Sequence, residues 1–368
     1  MPVGKPNRMA FQSGTRDESG TGAARRRVSG GFAVRFGLAC PLLLVAAGCS
    51  DGTGPDGPSA GRVPAAVEQA AATITAAAAR AHVSVLADDS MLGRGTPSRG
   101  LMLSAAYIVA HFQMLGLEGA FAGSFLQPFA WTNSPEADWP DNTGAVLRGS
   151  DPALAGDWVV VTAHYDHLGV VAHPPDPDSI MNGADDNASG TAAVLEIARA
   201  LAGLTARPGR TIAFVVFAGE EEGLVGSRWF VQHAPAGARL VADINLDMIG
   251  RNDPAMVYVC GDSLTSLGVN ARELAQHYPI LTLRSIPIAS AYNRSDQYPF
   301  ALARIPALMF TAGENNLYHT PRDEVATLDA DKIARVARLG AYLAYDVASR
   351  RDPPTWTAAG LVYAHVVR

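Results

Sequence analysis

Five short segments, in chain order, carry residues that can bind metal and move protons: His164-Tyr165-Asp166-His167, Asp185-Asp186-Asn187, Glu220-Glu221-Glu222, Asn245-Leu246-Asp247 and Tyr318-His319-Thr320-Pro321. They supply two imidazoles, His164 and His319, and three carboxylates, Asp185, Glu221 and Asp247. A mixed nitrogen and oxygen set of this kind suits Zn²⁺. If one carboxylate bridges, five protein ligands serve two ions, and Asp185 is the expected bridge, holding the ions roughly 3.5–4 Å apart. Glu220, directly before a ligand glutamate, is left over and is the expected general base. Asp166 is placed to orient His164, since a metal-bound imidazole needs a carboxylate or carbonyl behind it. His167 is expected beside the ligands, as an orienting neighbour or part of the pocket wall. Together these residues predict a hydrolase that works with two metal ions.

Each segment also has a plainer reading. Asp and Asn before a helix are ordinary caps, which accounts for Asn187 or Ser189 but not for two aspartates in a row. A glutamate triplet suits a helix start through the helix dipole. Position decides between the readings. His164 closes the apolar run Trp158–Thr162, Glu220 follows Thr211–Phe217, and Asp247 follows Leu240–Leu246. These runs predict buried strands, and in open α/β sheets the carboxyl ends of strands form the ligand crevice.

The rest of the chain supplies what must hold those strand ends. Helices are expected over Ala65 to about Ala87, from a Ser98 cap to Leu115, and over Thr191–Leu204, Ser227–His233, Ser266–His277, Gln297–Ala303 and Asp331–Ala348. Further strands are expected at Val146-Leu147, Met256–Val259, Leu281–Ser285 and Ala307–Thr311. Apolar strands alternating with helices predict an α/β fold, a three-layer α/β/α arrangement with a mixed, mostly parallel central sheet.

With 368 residues and 17% charged residues, the chain suffices for one sizeable α/β domain. A net charge of −6, with no basic stripe in the body, argues against nucleic-acid binding. Arg25-Arg26-Arg27 and Arg35 precede a short apolar run, Phe36–Ala47, which is the pattern of an export signal and is too short for a membrane span. The run ends in Ala46-Ala47-Gly48-Cys49, which resembles a bacterial lipoprotein box. Cys49 is then the expected lipid anchor; the alternative is a simply cleaved signal in which Cys49 is incidental. The expected organisation is a signal over 1–49, a Gly/Pro/Ser-rich tether over 50–64, a catalytic domain over 65–350 and a tail over 351–368. Of the three cysteines, Cys260 alone lies in the body, in an apolar strand where a buried structural role is expected.

The five segments, with Asn142-Thr143-Gly144-Ala145 and Arg294-Ser295-Asp296-Gln297-Tyr298-Pro299-Phe300, resemble the co-catalytic di-zinc aminopeptidase family that includes aminopeptidase Y and secreted bacterial leucyl aminopeptidases. The resemblance runs from about Gly93 to Ala348 and leaves no room for a protease-associated insert before His164. It implies a zinc exopeptidase fold and two zinc ions, one on His164, Asp185 and Asp247, the other on Asp185, Glu221 and His319. It also implies Glu220 as base and then acid, Asp166 behind His164, and Tyr292 steadying the tetrahedral intermediate. Its implied substrates are peptides with a free N-terminus. Gln297 departs from the histidine that many relatives carry, which puts a detail of the substrate pocket in question. A carboxypeptidase or dipeptidase using the same ligands, a glutaminyl cyclase-like acyltransferase and a non-enzymatic receptor-like relative are the alternatives. Oligomeric state is not legible.

Overall fold

The computed structural model of the chain describes residues 62–132, 139–173 and 175–366. The expected signal, Cys49 and nearly all of the tether lie outside these residues. The helices are α1 (Ala65–Ala72), α2 (Ala76–Leu86), α3 (Arg99–Met114), α4 (Gly190–Ala202), α5 (Val225–Gln232), α6 (Ser266–His277), α7 (Ile288–Ala291), α8 (Gln297–Leu302), α9 (Ala330–Ser349) and α10 (Ala358–Val366). The strands are β1 (Glu118–Gly119), β2 (Leu126–Pro128), β3 (Asp141–Leu147), β4 (Asp157–His164), β5 (Gly169–Val170), β6 (Ile180–Met181), β7 (Thr211–Phe217), β8 (Arg239–Leu246), β9 (Met256–Cys260), β10 (Thr282–Ile286) and β11 (Ala307–Thr311).

The main sheet has nine strands in the order β1-β3-β7-β4-β8-β11-β9-β10, with β2 also on β3. Its centre, β7-β4-β8-β11, is parallel throughout. The antiparallel pairings β3 with β7 and β11 with β9 flank that centre. The sheet is therefore mixed with a parallel middle, and helices cover both faces. Alternation along the strands shows this directly. Val159, Val161, Ile212, Phe214 and Val216 enter the large core that also contains α4 and α9. Trp158, Val160, Ala213, Val215 and Phe217 enter a second core with Phe230 of α5 and Phe300 of α8. Strands buried on both faces need the unbroken apolar runs seen in the sequence. Each fully buried Val, Ile or Phe among these contributes about 1.5–3 kcal/mol through burial.

Two elements differ from expectation. The Ala-rich N-terminal helix is two helices, because the Thr75 hydroxyl accepts the Ala78 N–H at 3.2 Å and starts a new one. Thr75 closes the run Thr73-Ile74-Thr75, whose stiff β-branched side chains suit the break. Strand β3 begins at Asp141, not Val146, because Asp141–Thr143 pair with β2 and the residues from Thr143 onward pair with β7. Ser98 caps α3 through the Leu101 N–H, as its position predicts. After α9, Trp356 and Tyr363 pack against the cluster around Cys260, so the last segment is held to the body.

Candidate metal centre

The parallel middle strands deliver their carboxyl ends to one place. His164 is the last residue of β4, Glu220 and Glu221 follow β7, Asp247 follows β8, and His319 lies in the loop after β11. The last contributor is the turn Ala184–Ser189, which leads into α4.

That turn corrects the expectation for Asp185. Its carboxylate points away from the imidazoles: Oδ1 accepts the Gly250 N–H at 2.7 Å and Oδ2 takes a long contact from Asn315 at 3.5 Å. Asp186, not Asp185, is the aspartate that faces both imidazoles. Its Oδ1 lies 3.3 Å from His164 Nε2 and its Oδ2 lies 3.1 Å from His319 Nε2. The cause is Asp323, whose two oxygens accept the N–H groups of Asp185 and Asp186 at 2.8 and 3.1 Å. With the backbone pinned there, and Gly183 at φ +55° in the left-handed region, the two carboxylates leave the turn in opposite directions. Arg251 holds Asp323 in turn, at 2.7 Å.

The two oxygens of Asp186 join two clusters. On one side His164 Nε2 is 3.5 Å from Asp247 Oδ1, and Glu220 offers its carboxylate within 4.8 Å of both. On the other, His319 Nε2 is 3.2 Å from Glu221 Oε2, and His167 Nδ1 is 2.8 Å from Glu221 Oε1. Asp166 sits behind the first cluster, where Oδ1 is 3.6 Å from His164 Nδ1 and accepts the Glu220 N–H at 3.2 Å. These residues fit metal. Asp247 Oδ1 and His319 Nε2 are buried and take no hydrogen bond among the described residues. A cation at each cluster would satisfy them, and the donor types are those zinc uses.

Tyr292 is a second correction. It is fully buried, and its hydroxyl donates to the Ala307 carbonyl at 3.0 Å. Ala307 begins β11, at the end opposite the metal ligands. Tyr318 stands nearer the ligands: its ring stacks on His319 at 3.7 Å. Burial raises its hydroxyl pKa, and Asp186, Glu221 and Asp247 raise it further, which places the phenol in the field of those carboxylates. Gln297, expected to touch the substrate pocket, is internal. Its Oε1 accepts from Asn245 and its Nε2 donates to the Tyr292 carbonyl.

Several contributors were not foreseen. Arg94 is fully buried and forms no ion pair among the described residues; it donates to the carbonyls of Leu86, Tyr165, Asn182 and Gly183. It thereby ties the segment after His164 to the turn before Asp186. Burial lowers its pKa to about 10, partly offset by Asp323, Asp166, Asp186 and Glu221. The glycines of Gly93-Arg94-Gly95 are its only sequence signal: a Cβ on Gly93 would meet the Gly169 carbonyl at 2.4 Å. Asn187 links the Asp186 turn to the end of β8, with Nδ2 on the Leu246 carbonyl and Oδ1 accepting the Gly190 N–H. Asp296 lies buried near Glu220, with burial raising its pKa to about 7.

Without a cation, protons balance this charge. Burial would lower His319, but Asp186 and Glu221 carry it up to about 10. His164 is opposed by burial too, yet Glu220, Asp166, Asp186 and Asp247 hold it well above the usual histidine range. A histidine with a raised folded pKa contributes stability that is complete below its unfolded value, about 6.5, and is lost as pH rises through the folded value. The raised carboxyl of Asp185, at about 7, works in the same direction but lower, between its ordinary value of 3.8 and about pH 7. The metal-free protein is therefore expected to melt at progressively lower temperature from about pH 6.5 to 10. The zinc-loaded protein is expected to change less, because ions replace those protons. Thermal melts with chelator and with zinc test this; parallel pH profiles would refute it.

Among known proteins, the family model described as Peptidase family M28 matches residues 142–344. The chain is similar to aminopeptidase YwaD of Bacillus subtilis, 28% identical over 214 residues, which are 54% of this chain and 43% of that protein. It is 32% identical over 211 residues to a probable leucine aminopeptidase of Arthroderma otae, covering 55% of this chain and 57% of that one. The chain thus spans about half the length of these curated relatives. The LapA aminopeptidase of Legionella pneumophila has a similar fold, with a TM-score of 0.63 at 23% identity over 78% of this chain and 75% of that one. The family match spans more than half of the chain and includes the strand ends at His164, Glu220-Glu221 and Asp247, so this chain belongs to peptidase family M28.

Proposed function

We propose that this protein is a two-zinc aminopeptidase that hydrolyses the N-terminal residue from peptides with a free amine. The observation that carries the reading is Asp186, whose two oxygens face His164 on one side and His319 on the other. His164, Asp247 and Asp186 would hold one ion, and Asp186, Glu221 and His319 the other. Such ions supply Lewis acidity and lower the pKa of water toward neutrality.

The chain's own residues then move the protons. Glu220 takes a proton from the attacking water and returns it to the leaving amine. Burial raises its pKa, and Glu221, Asp296 and Asp247 add to this while His164 opposes it. Asp166 fixes the Glu220 backbone and faces His164 at the same time, so base and ligand keep one register. The Tyr318 hydroxyl donates to the oxyanion that forms on the scissile carbonyl.

Tyr318→Phe is expected to lower kcat about 10²-fold with zinc content unchanged, the usual loss for one oxyanion donor. Tyr292→Phe is expected to leave kcat within a few-fold and to cost about 1–3 kcal/mol in stability, because the Ala307 carbonyl loses its donor. Steady-state kinetics and denaturant melts of the two variants separate the roles; equal kinetic losses would remove Tyr318 from its assignment.

The activity itself is tested with paired substrates on the zinc-loaded protein: aminoacyl amides, their N-acetylated twins, N-acetylated peptides with a free C-terminus, unblocked dipeptides, peptides blocked at the C-terminus and a peptide with N-terminal Gln. Chelator-sensitive release that requires the free amine supports the reading. Cleavage of acetylated peptides with a free C-terminus would mean a carboxypeptidase, and cleavage confined to dipeptides a dipeptidase. Pyroglutamate formation would mean a cyclase, and silence a receptor-like protein. Export and anchoring through Cys49 belong to the same proposal and rest on the leader's sequence; radiolabelled lipid incorporation that fails in Cys49→Ser tests them.

A further inference from the structure

We infer that His167 is a protein ligand to the Asp186, Glu221 and His319 position, giving that position four protein donors and leaving the position of His164 and Asp247 the open one. The inference rests on the two-metal reading above and deepens it.

The geometry is the main argument. One donor atom from each of His167, Asp186, Glu221 and His319 lies within 4.8 Å of all the others. His167 Nδ1 is 2.8 Å from Glu221 Oε1 and 3.7 Å from Asp186 Oδ2. His319 Nε2 is 3.1 Å from Asp186 Oδ2 and 3.2 Å from Glu221 Oε2. Four ligands placed tetrahedrally around zinc at its usual bond lengths stand about 3.4 Å apart. The observed separations bracket that spacing, and both imidazoles aim nitrogen atoms at the space between the same two carboxylates.

The setting of the ring supports the same role. His167 is buried. A Cβ on Gly183 would fall 2.6 Å from His167 Cγ and Cδ2, so the ring lies flat against that glycine and its orientation is fixed. Its backbone N–H is held by the Arg94 carbonyl at 3.2 Å. Nδ1 is the ring nitrogen turned to the carboxylates; Nε2 is buried with no hydrogen bond among the described residues, so the ring lacks the backing that Asp166 gives His164. Metal positions closed by four protein donors are the structural kind, whereas catalytic ones keep a place free. The two ions would then differ in affinity, with the tighter one on the His167 side.

The test is zinc-edge X-ray absorption on the full protein carrying one zinc per chain, together with chelator competition. The expected result is two imidazoles on the tighter zinc in the native protein and one in His167→Gln, which keeps an N–H able to reach Glu221. The variant's tighter zinc is expected to weaken by more than the about 10–100-fold that follows loss of an outer partner of a ligand. A single imidazole in the native protein would overturn the inference and needs no variant to fold. So would an unchanged imidazole count in a folded His167→Gln, and so would failure of the native protein to bind zinc. Two imidazoles on zinc in a protein that cleaves no peptide would uphold the ligand and sink the aminopeptidase reading. One imidazole in an active aminopeptidase would do the reverse.

Discussion

Asp186→Asn is expected to abolish turnover, while Asp185→Asn leaves most of it. The two residues are adjacent, both buried and both carboxylates, so charge and burial do not separate them. Direction does. Asp186 presents one oxygen to His164 and the other to His319, at 3.3 and 3.1 Å. An amide there offers one weak oxygen donor and one N–H aimed at a cation or an imidazole. Lewis-acid stabilisation is worth several kcal/mol, so kcat/KM should fall at least about 10³-fold and zinc stoichiometry should drop with it. Asp185 instead accepts the Gly250 N–H, and burial has already brought its pKa to about 7. An amide there keeps the size of the carboxyl and an acceptor oxygen for the Gly250 N–H. Activity should stay within about tenfold, and the stability change should be near 1 kcal/mol, the scale of one hydrogen bond. Zinc content and kinetics of the two variants decide the matter. If Asp185→Asn lost zinc and Asp186→Asn kept it, the geometry drawn here would be wrong.

That pair also shows how far the sequence could be read. The strands were legible because a run such as Val159-Val160-Val161 or Phe214-Val215-Val216 has few other uses in a chain this size, and His164, Glu220, Glu221 and Asp247 were legible because each follows such a run. Within a turn no such periodicity exists. Which of two neighbouring aspartates faces inward is set by Asp323, 138 residues further on and linked through its contact with the Asp185 N–H. Tyr292 failed for a related reason. Its distance from Ser295-Asp296 is a local spacing, but the direction of its hydroxyl is fixed by packing with Cys260, Leu264 and Met309. Tyr318 was in plain view beside His319, and what marks it is its stacking on that histidine within the carboxylate field. Arg94 was the least legible, since a buried cation satisfied by carbonyls leaves no charge partner to search for.

Glu220→Gln is expected to lower kcat by about 10²–10⁴-fold, the range of general acid–base catalysis, with both zinc ions retained. The argument turns on what Gln keeps. It preserves volume, the backbone N–H held by Asp166 at 3.2 Å and a polar side chain in the same place, but it cannot accept a proton. Glu220 also lies within 4.8 Å of the donor atoms of His164 and Asp247, close enough to be a third ligand on that side. The two roles predict different losses. A base that is removed leaves metal affinity intact and eliminates the ionisation of Glu220 from the pH dependence of kcat/KM. A ligand that is removed weakens zinc at the His164 position, and added zinc then restores part of the activity. In the proposed ligand set Asp186 takes that place, its Oδ1 already lying 3.3 Å from His164 Nε2, so the first outcome is expected. Zinc titration of Glu220→Gln followed by kcat measurement over a range of pH separates the two. Recovery of activity with excess zinc would make Glu220 a ligand and leave the proton transfer to another carboxylate.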